Sequence, residues 1–242
     1  MIRIDRTFWP TLLILMVVLA LFELTAVDIA VQDRLFNFDR GRWMVDGTDA
    51  LPRFLFYDSP KIIIIMIGVT MLAVACGPRR WRRGLDRRAL VVGVLTLATV
   101  PALIGVGKAT TNIFCPSEIR RYGGEVPYVR LCEPYPSTDR PARRGRCFPA
   151  GHASGGFALF CLVGLARTSR GQKMGVALAL AAGGAMGMYQ MAKGAHYLSH
   201  TLVTMLVAWW IFLFWRRVLG LNQENSIVKA AKRPAMERVE HA

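Results

Sequence analysis

Three short segments carry a cation or an imidazole, residue types suited to binding an anion and moving protons. Lys108 to Pro116 reads KATTNIFCP, Pro149 to Ser154 reads PAGHAS, and Gln190 to His200 reads QMAKGAHYLSH. An imidazole can attack phosphorus or move a proton near neutral pH, and an ammonium neutralises phosphate oxygens. His152 follows a Pro and Gly turn and opens an apolar run, so free backbone amides and the positive end of a helix dipole would face it as an anion site. His196 and His200 stand four residues apart, which on a helix puts both rings on one face, with Lys193 one turn earlier on the same side. That spacing also suits zinc, but no carboxylate or third histidine is supplied locally and the glutamate of the zinc-protease pattern is missing. No metal and no other cofactor is expected. Singly, each residue has a plainer explanation, since a histidine or lysine near a span end often sits among headgroups.

The elements that must position these residues follow from the hydropathy pattern. Of the 242 residues 53% are hydrophobic, and they fall in long blocks separated by charged stretches, which is the pattern of a polytopic membrane protein. The apolar blocks predict spans at about 8–29, 60–77, 89–111, 152–168, 174–194 and 198–218, each helical because lipid offers the backbone no other partner. The expected fold is therefore all-α: six transmembrane helices in a bundle, residues 1–218, followed by a basic tail over 219–242 that reads as disordered or lying on headgroups.

The formal net charge of +15 would suggest nucleic acid in a soluble protein, but its distribution argues otherwise. Arg79, Arg80, Arg82, Arg83, Arg87 and Arg88 crowd one short loop, and Arg216, Arg217, Lys229, Lys232, Arg233 and Arg238 follow the last span. Basic clusters of this kind mark the cytoplasmic side. With the N-terminus inside, both termini are cytoplasmic and the segments at about 30–59 and 112–151 lie outside, together with the histidines. The second outer segment carries Arg120, Arg121, Arg130, Arg140, Arg143, Arg144 and Arg146, an excess that the positive-inside rule does not explain. It also carries Cys115, Cys132 and Cys147, and an oxidising compartment permits one disulfide among them. Cys115 with Cys147 is favoured, because both flank Pro-containing motifs that a bridge would hold together; Cys132 stays open as an alternative partner.

The three segments resemble, in order and in register, the signature of the type-2 phosphatidic acid phosphatase superfamily: K-x6-R-P, then P-S-G-H, then S-R-x5-H-x3-D. Lys108 and Pro116 match the first motif, Pro149, Gly151 and His152 the second, and His196 the histidine of the third. Cys115 stands in place of an arginine, Ala150 of the serine, Tyr189 and Gln190 of the Ser-Arg pair, and His200 of the aspartate. The sequence is similar to a divergent bacterial subgroup of that superfamily. Arginine binds phosphate through a bidentate fork that neutral side chains lack. The replacement charges are expected from Lys193 and from Arg120, Arg121 or Arg146.

The resemblance implies a membrane-bound hydrolase in which His196 attacks phosphorus, His152 protonates the leaving oxygen and then acts as base toward water, and His200 orients His196. Lys108, Lys193 and the amides near Gly151 would hold the non-bridging oxygens, with Glu118 or Glu125 as further partners of His196 from the loop. It further implies a lipid substrate: undecaprenyl diphosphate, the phosphates of lipid A, phosphatidylglycerophosphate or phosphatidic acid. The expected location is the bacterial inner membrane, with the active site periplasmic and membrane lipids as the other partners. A non-catalytic lipid-phosphate binding protein or a phospholipid transporter is the alternative.

Overall fold

The computed structural model describes residues 4–221, and they are mostly helical. Seven helical segments make the frame: α1 (Phe8–Leu24), α2 (Val27–Asp33), α3 (Ala50–Cys76), α4 (Arg87–Thr110), α5 (Gly151–Leu165), α6 (Ser169–Ala192) and α7 (Leu198–Val218). Phe36–Asn37 (β1) and Arg42–Trp43 (β2) pair antiparallel as a small hairpin between α2 and α3. The tail expected beyond the last helix lies outside the described residues from 222 onward.

Among the described residues four helices, α3, α4, α6 and α7, are long and apolar enough to cross a membrane, and a fifth span results if α1 and α2 count together. The expectation of six full-length helices differs from this at two places. The first span is not straight, because α1 ends at Thr25 and α2 leaves it at 70°. The turn frees α2 to bury Asp28 and Gln32, polar side chains that lipid would not accept. The fourth span is the 15-residue α5, an α-helical turn pair around a 3₁₀ turn at Leu159–Cys161. At 1.5 Å per residue it is roughly 22 Å long, less than the roughly 30 Å of a hydrocarbon core.

The second span begins at Ala50, about ten residues before the expected start, so the first outer segment is half helix. Pro60 has no N–H to give to the carbonyl of Phe56, and the helix passes this point through a π-type stretch at Phe54–Asp58. Along α3 the apolar side chains Ile62, Ile63, Ile65, Met66 and Val69 face outward, as a lipid-facing helix requires. α5 and α6 pack backbone against backbone. A methyl group on Gly156 would lie 2.5 Å from the Gly183 backbone, and one on Gly183 would strike the Phe157 ring, so glycine is what lets these two backbones touch.

The basic turns collect at one end of the bundle. Arg167 donates to the carbonyl of Gly84, Leu221 lies against Gly164, and the Arg217 guanidinium sits over the Phe8 ring. The opposite end is roofed by residues 112–150, which pack Ile113, Phe114, Ile119, Tyr122, Tyr135 and Phe148 into a second apolar cluster with β1. Three of the seven arginines in this roof are held in ion pairs. Arg120 forks onto Asp139 at 2.5 Å, Arg121 forks onto Asp33 at 2.7 Å, and Arg143 meets Glu118 at 2.5 Å.

Candidate active site

The three histidines converge where the roof meets the helices. His152 lies in the first turn of α5, which starts at Gly151. His196 is not on a helix: it lies in the turn between α6 and α7, and α7 begins only at Leu198. The shared face expected of His196 and His200 therefore arises from the turn rather than from helical spacing. Their Nδ1 atoms are 3.4 Å apart, and the ring centroids of His152 and His196 are 6.0 Å apart. Only one of the two facing Nδ1 atoms can carry the proton between them, so when His196 carries it, His200 accepts and His196 Nε2 keeps a free lone pair. Burial depresses the His196 pKa well below the ordinary imidazole range, and the neighbouring His200, Lys108 and His152 add to this, so the ring is neutral near pH 7.

Lys108, in the last turn of α4, reaches the same point. A methyl group on Gly151 would lie 3.4 Å from its Nζ, so the glycine keeps the ammonium close to the N-terminus of α5. His152 Nδ1 is buried and has no hydrogen-bond partner among the described residues, an orphaned polar atom at the mouth of a cavity. That cavity, about 640 Å³, is lined at its polar end by Tyr57, Lys61, Lys108 and His152 and along its length by Ile64, Gly68, Leu72, Leu97 and other apolar residues of α3 and α4.

The turn bearing His196 is held from three sides. Gln32 donates to the His196 carbonyl at 2.5 Å, and Asp28 accepts from the Ser199 amide at 2.9 Å and its hydroxyl at 2.5 Å. Gly194 has φ +73 and lies under the Trp43 ring, where a methyl group would be 2.2 Å from the indole; glycine serves both the backbone and the contact. Ser117 donates to the Gly194 carbonyl at 2.9 Å. Cys115 and Cys147 are joined by a disulfide, which leaves Cys132 free and exposed, and Cys147 Sγ lies 3.5 Å from His196 Nδ1. The second and third segments are tied directly, since Ala150 donates to the His200 carbonyl at 3.3 Å and to Thr204 Oγ1 at 3.0 Å. Asp28→Asn leaves one of the two Ser199 donors without its charged acceptor at the N-terminus of α7. We expect this change to cost about 1.5–3 kcal/mol of stability. Thermal unfolding in detergent checks it, with phosphate release falling alongside because the His196 turn loosens.

Several expected phosphate ligands are elsewhere. Arg120 and Arg121 are committed to Asp139 and Asp33, so neither faces the histidines. Arg146 is exposed on the roof and makes no hydrogen bond or ion pair among the described residues. Glu118 is taken up by the Cys115 amide and Arg143. Lys193 stands beside two aromatic rings. It ends α6 with Nζ 4.9 Å from the Tyr189 ring centre and 5.9 Å from that of Tyr57, whose ring is 4.6 Å from His152. Burial and the nearby Arg53 lower its pKa. Gln190 is buried, and its amide makes no hydrogen bond among the described residues.

Tyr57, Lys61, Asp28 and Gln32 were not legible as site residues. A lysine in the first turn of an apolar span was the one available signal, and it points to Lys61; Asp28 and Gln32 meet their partners only across 171 and 164 residues of chain.

A helical membrane protein with a cluster of histidines and lysine at the mouth of an apolar cavity is the class that these features define. The sequence model of the PAP2 superfamily matches residues 89–224, from α4 through α7, and the chain belongs to that superfamily. Its members are phosphatases that act on phosphate esters, which makes this chain a phosphoric ester hydrolase at that general level. The matched region holds Lys108, His152, His196 and His200, while Asp28, Tyr57 and Lys61 precede it. No curated protein and no solved structure gives a significant match to the chain.

Proposed function

We propose that this protein hydrolyses the terminal phosphate of a lipid phosphate monoester or diphosphate through a phosphohistidine on His196. The observation that carries the lipid assignment is the cavity, whose polar end is His152, Lys108 and Lys61 and whose walls are the apolar faces of α3 and α4. From Tyr57 to Leu72 it follows about 22 Å of α3, the direction an acyl or prenyl chain takes from headgroup to membrane centre. A soluble phosphate would gain nothing from that wall.

In the first step His196 Nε2 forms a bond to phosphorus as the bond to the leaving oxygen breaks, and His152 gives that oxygen its proton. His196 keeps Nδ1–H directed at His200, which spreads the positive charge of the phosphoimidazolium without removing it. In the second step water gives a proton to His152 and attacks phosphorus, the P–N bond breaks, and phosphate leaves with His196 neutral again. Lys108 and the first amides of α5 hold the non-bridging oxygens, with Lys61 adding charge from the cavity side and Lys193 from beside the Tyr57 ring. The two rings stand closer than a phosphoryl group between them allows, so His152 moves toward the cavity as substrate enters.

The layout that supports this chemistry is six spans, α1, α3, α4, α5, α6 and α7, with the basic turns at the cytoplasmic end and the histidines at the outer leaflet of a bacterial inner membrane. Undecaprenyl diphosphate, the phosphates of lipid A, phosphatidylglycerophosphate and phosphatidic acid all present the required group. The test is phosphate release by the purified protein across that panel, with His196→Ala as control. Release from none of them would leave the binding or transport reading. Release from a short-chain soluble ester at equal efficiency would remove the lipid assignment. Gly68→Phe provides a finer check, since a methyl group there already touches Leu97 at 3.6 Å and a ring would fill the cavity. We expect kcat/KM for long-chain lipids to fall about 10-fold, or about 1.4 kcal/mol, with a short-chain ester unaffected.

A further inference from the structure

We propose that the Cys115–Cys147 disulfide masks a zinc site, and that its reduction lets Cys147, His196 and His200 bind one zinc ion that switches the phosphatase off. Cys147 Sγ is 3.5 Å from His196 Nδ1, His196 Nδ1 is 3.4 Å from His200 Nδ1, and the three donors all lie within 4.8 Å of one another. A tetrahedral zinc with Zn–N of about 2.0–2.1 Å and Zn–S of about 2.3 Å separates its nitrogens by roughly 3.4 Å and nitrogen from sulfur by roughly 3.5 Å. The protein thus already holds two edges of such a tetrahedron. All three residues are buried, so the backbone that positions them is fixed by packing and not by the metal. Cysteine thiolate and histidine nitrogen are both ordinary zinc donors, and three protein donors with water in the fourth position is a common zinc arrangement.

While the disulfide stands, Cys147 is not a thiolate and the site has two donors only. Cys147 is fully buried and Cys115 is half-buried, so an incoming reductant meets Cys115 first. The thiolate of a dithiol attacks Cys115 Sγ, the S–S bond breaks, and Cys147 leaves as thiolate. The second thiol of the reductant then resolves the mixed disulfide. Two electrons pass from the dithiol, which ends as its own disulfide. One of its two protons stays on the Cys115 thiol, and the other is released when Cys147 binds zinc as thiolate.

Zinc at Nδ1 of a neutral imidazole leaves the ring proton on Nε2. His196 then has no lone pair to offer phosphorus, and His200 is withdrawn from its orienting role. This inhibitory consequence rests on His196 being the nucleophile; the binding of zinc does not.

The experiment measures zinc bound per chain in the purified full-length protein, after exposure to zinc and removal of free metal. About one zinc is expected in the dithiol-reduced protein and close to none in the oxidised protein. Cys115→Ser, which frees Cys147 without touching the donors, should take up zinc with no reductant; reduced Cys147→Ser should not. If Cys115→Ser fails to fold, the reduced wild-type protein still decides. Cobalt in place of zinc should give a thiolate-to-metal charge-transfer band that Cys147→Ser lacks. Absence of zinc from the reduced protein, or equal zinc in reduced Cys147→Ser, overturns the site. Zinc-loaded protein should turn over at least about 10-fold more slowly and recover on chelation. Full turnover in the loaded protein overturns the switch and counts against His196 as nucleophile, while the metal content is read separately.

Discussion

Replacing His196 by alanine is expected to lower phosphate release by on the order of 10⁴-fold or more, with membrane insertion unchanged. The size of the effect follows from the geometry. His196 is held by Gln32 at its carbonyl and by Asp28 one turn on, its Nδ1 is occupied by His200, and its depressed pKa keeps the ring neutral, so one lone pair is presented in one direction. No second nucleophile within the cluster repeats that arrangement, because His152 Nδ1 has no hydrogen-bond partner among the described residues. His152→Ala should cost less, roughly 10²–10⁴-fold, since it removes proton transfer and leaves the nucleophile. Because His196 is only 2% exposed, alanine also opens a cavity. His196→Asn, which keeps more of the volume, separates that cost from the chemistry; thermal unfolding of both variants and initial rates are the measurements.

The second large effect is expected at Lys108. With Arg120 and Arg121 tied to Asp139 and Asp33, Lys108 is the cation placed among all three histidines, and the first turn of α5 lies against its ammonium. Lys108→Met should reduce kcat by about 10²–10³-fold, the range for losing one donor that meets charge developing in the transition state. Lys193→Met should fall short of that, because Lys193 reaches His152 only past the Tyr57 ring. Initial rates of the two variants side by side decide the order. A larger loss at Lys193 would mean that it, rather than Lys108, neutralises the transferred group.

The parts of this site that were legible in sequence are those whose chemistry is local. His152 after a Pro-Gly turn, the nearness of His196 to His200 and Lys108 at a span end could each be read from a few neighbouring residues, and the structure brings these four together, the His196 and His200 pair through a turn and not the expected helix. The ion pairs of Arg120 and Arg121 were not legible because the partners are distant in sequence: Asp33 is 88 residues from Arg121, and an unpaired arginine cannot be told from a paired one without that contact. Asp28 and Tyr57 were passed over for the same reason. The helix count was blurred where local signals are silent. No proline or glycine marks the bend at Thr25, and the apolar run after His152 does not reveal that the helix stops at Leu165. Hydropathy fixes which segments avoid water, but it does not say how a short helix such as α5 is accommodated once longer neighbours surround it.

The most direct test of the phosphohistidine account is to quench the reaction of a lipid phosphate, labelled with radioactive phosphorus at its terminal phosphate, within the first turnover and locate the label on the protein. The account predicts an acid-labile, base-stable phosphoprotein whose label maps to the peptide containing His196 and is lost in His196→Asn. Rapid phosphate release with no labelled protein at any quench time, or label carried by His152, would contradict it.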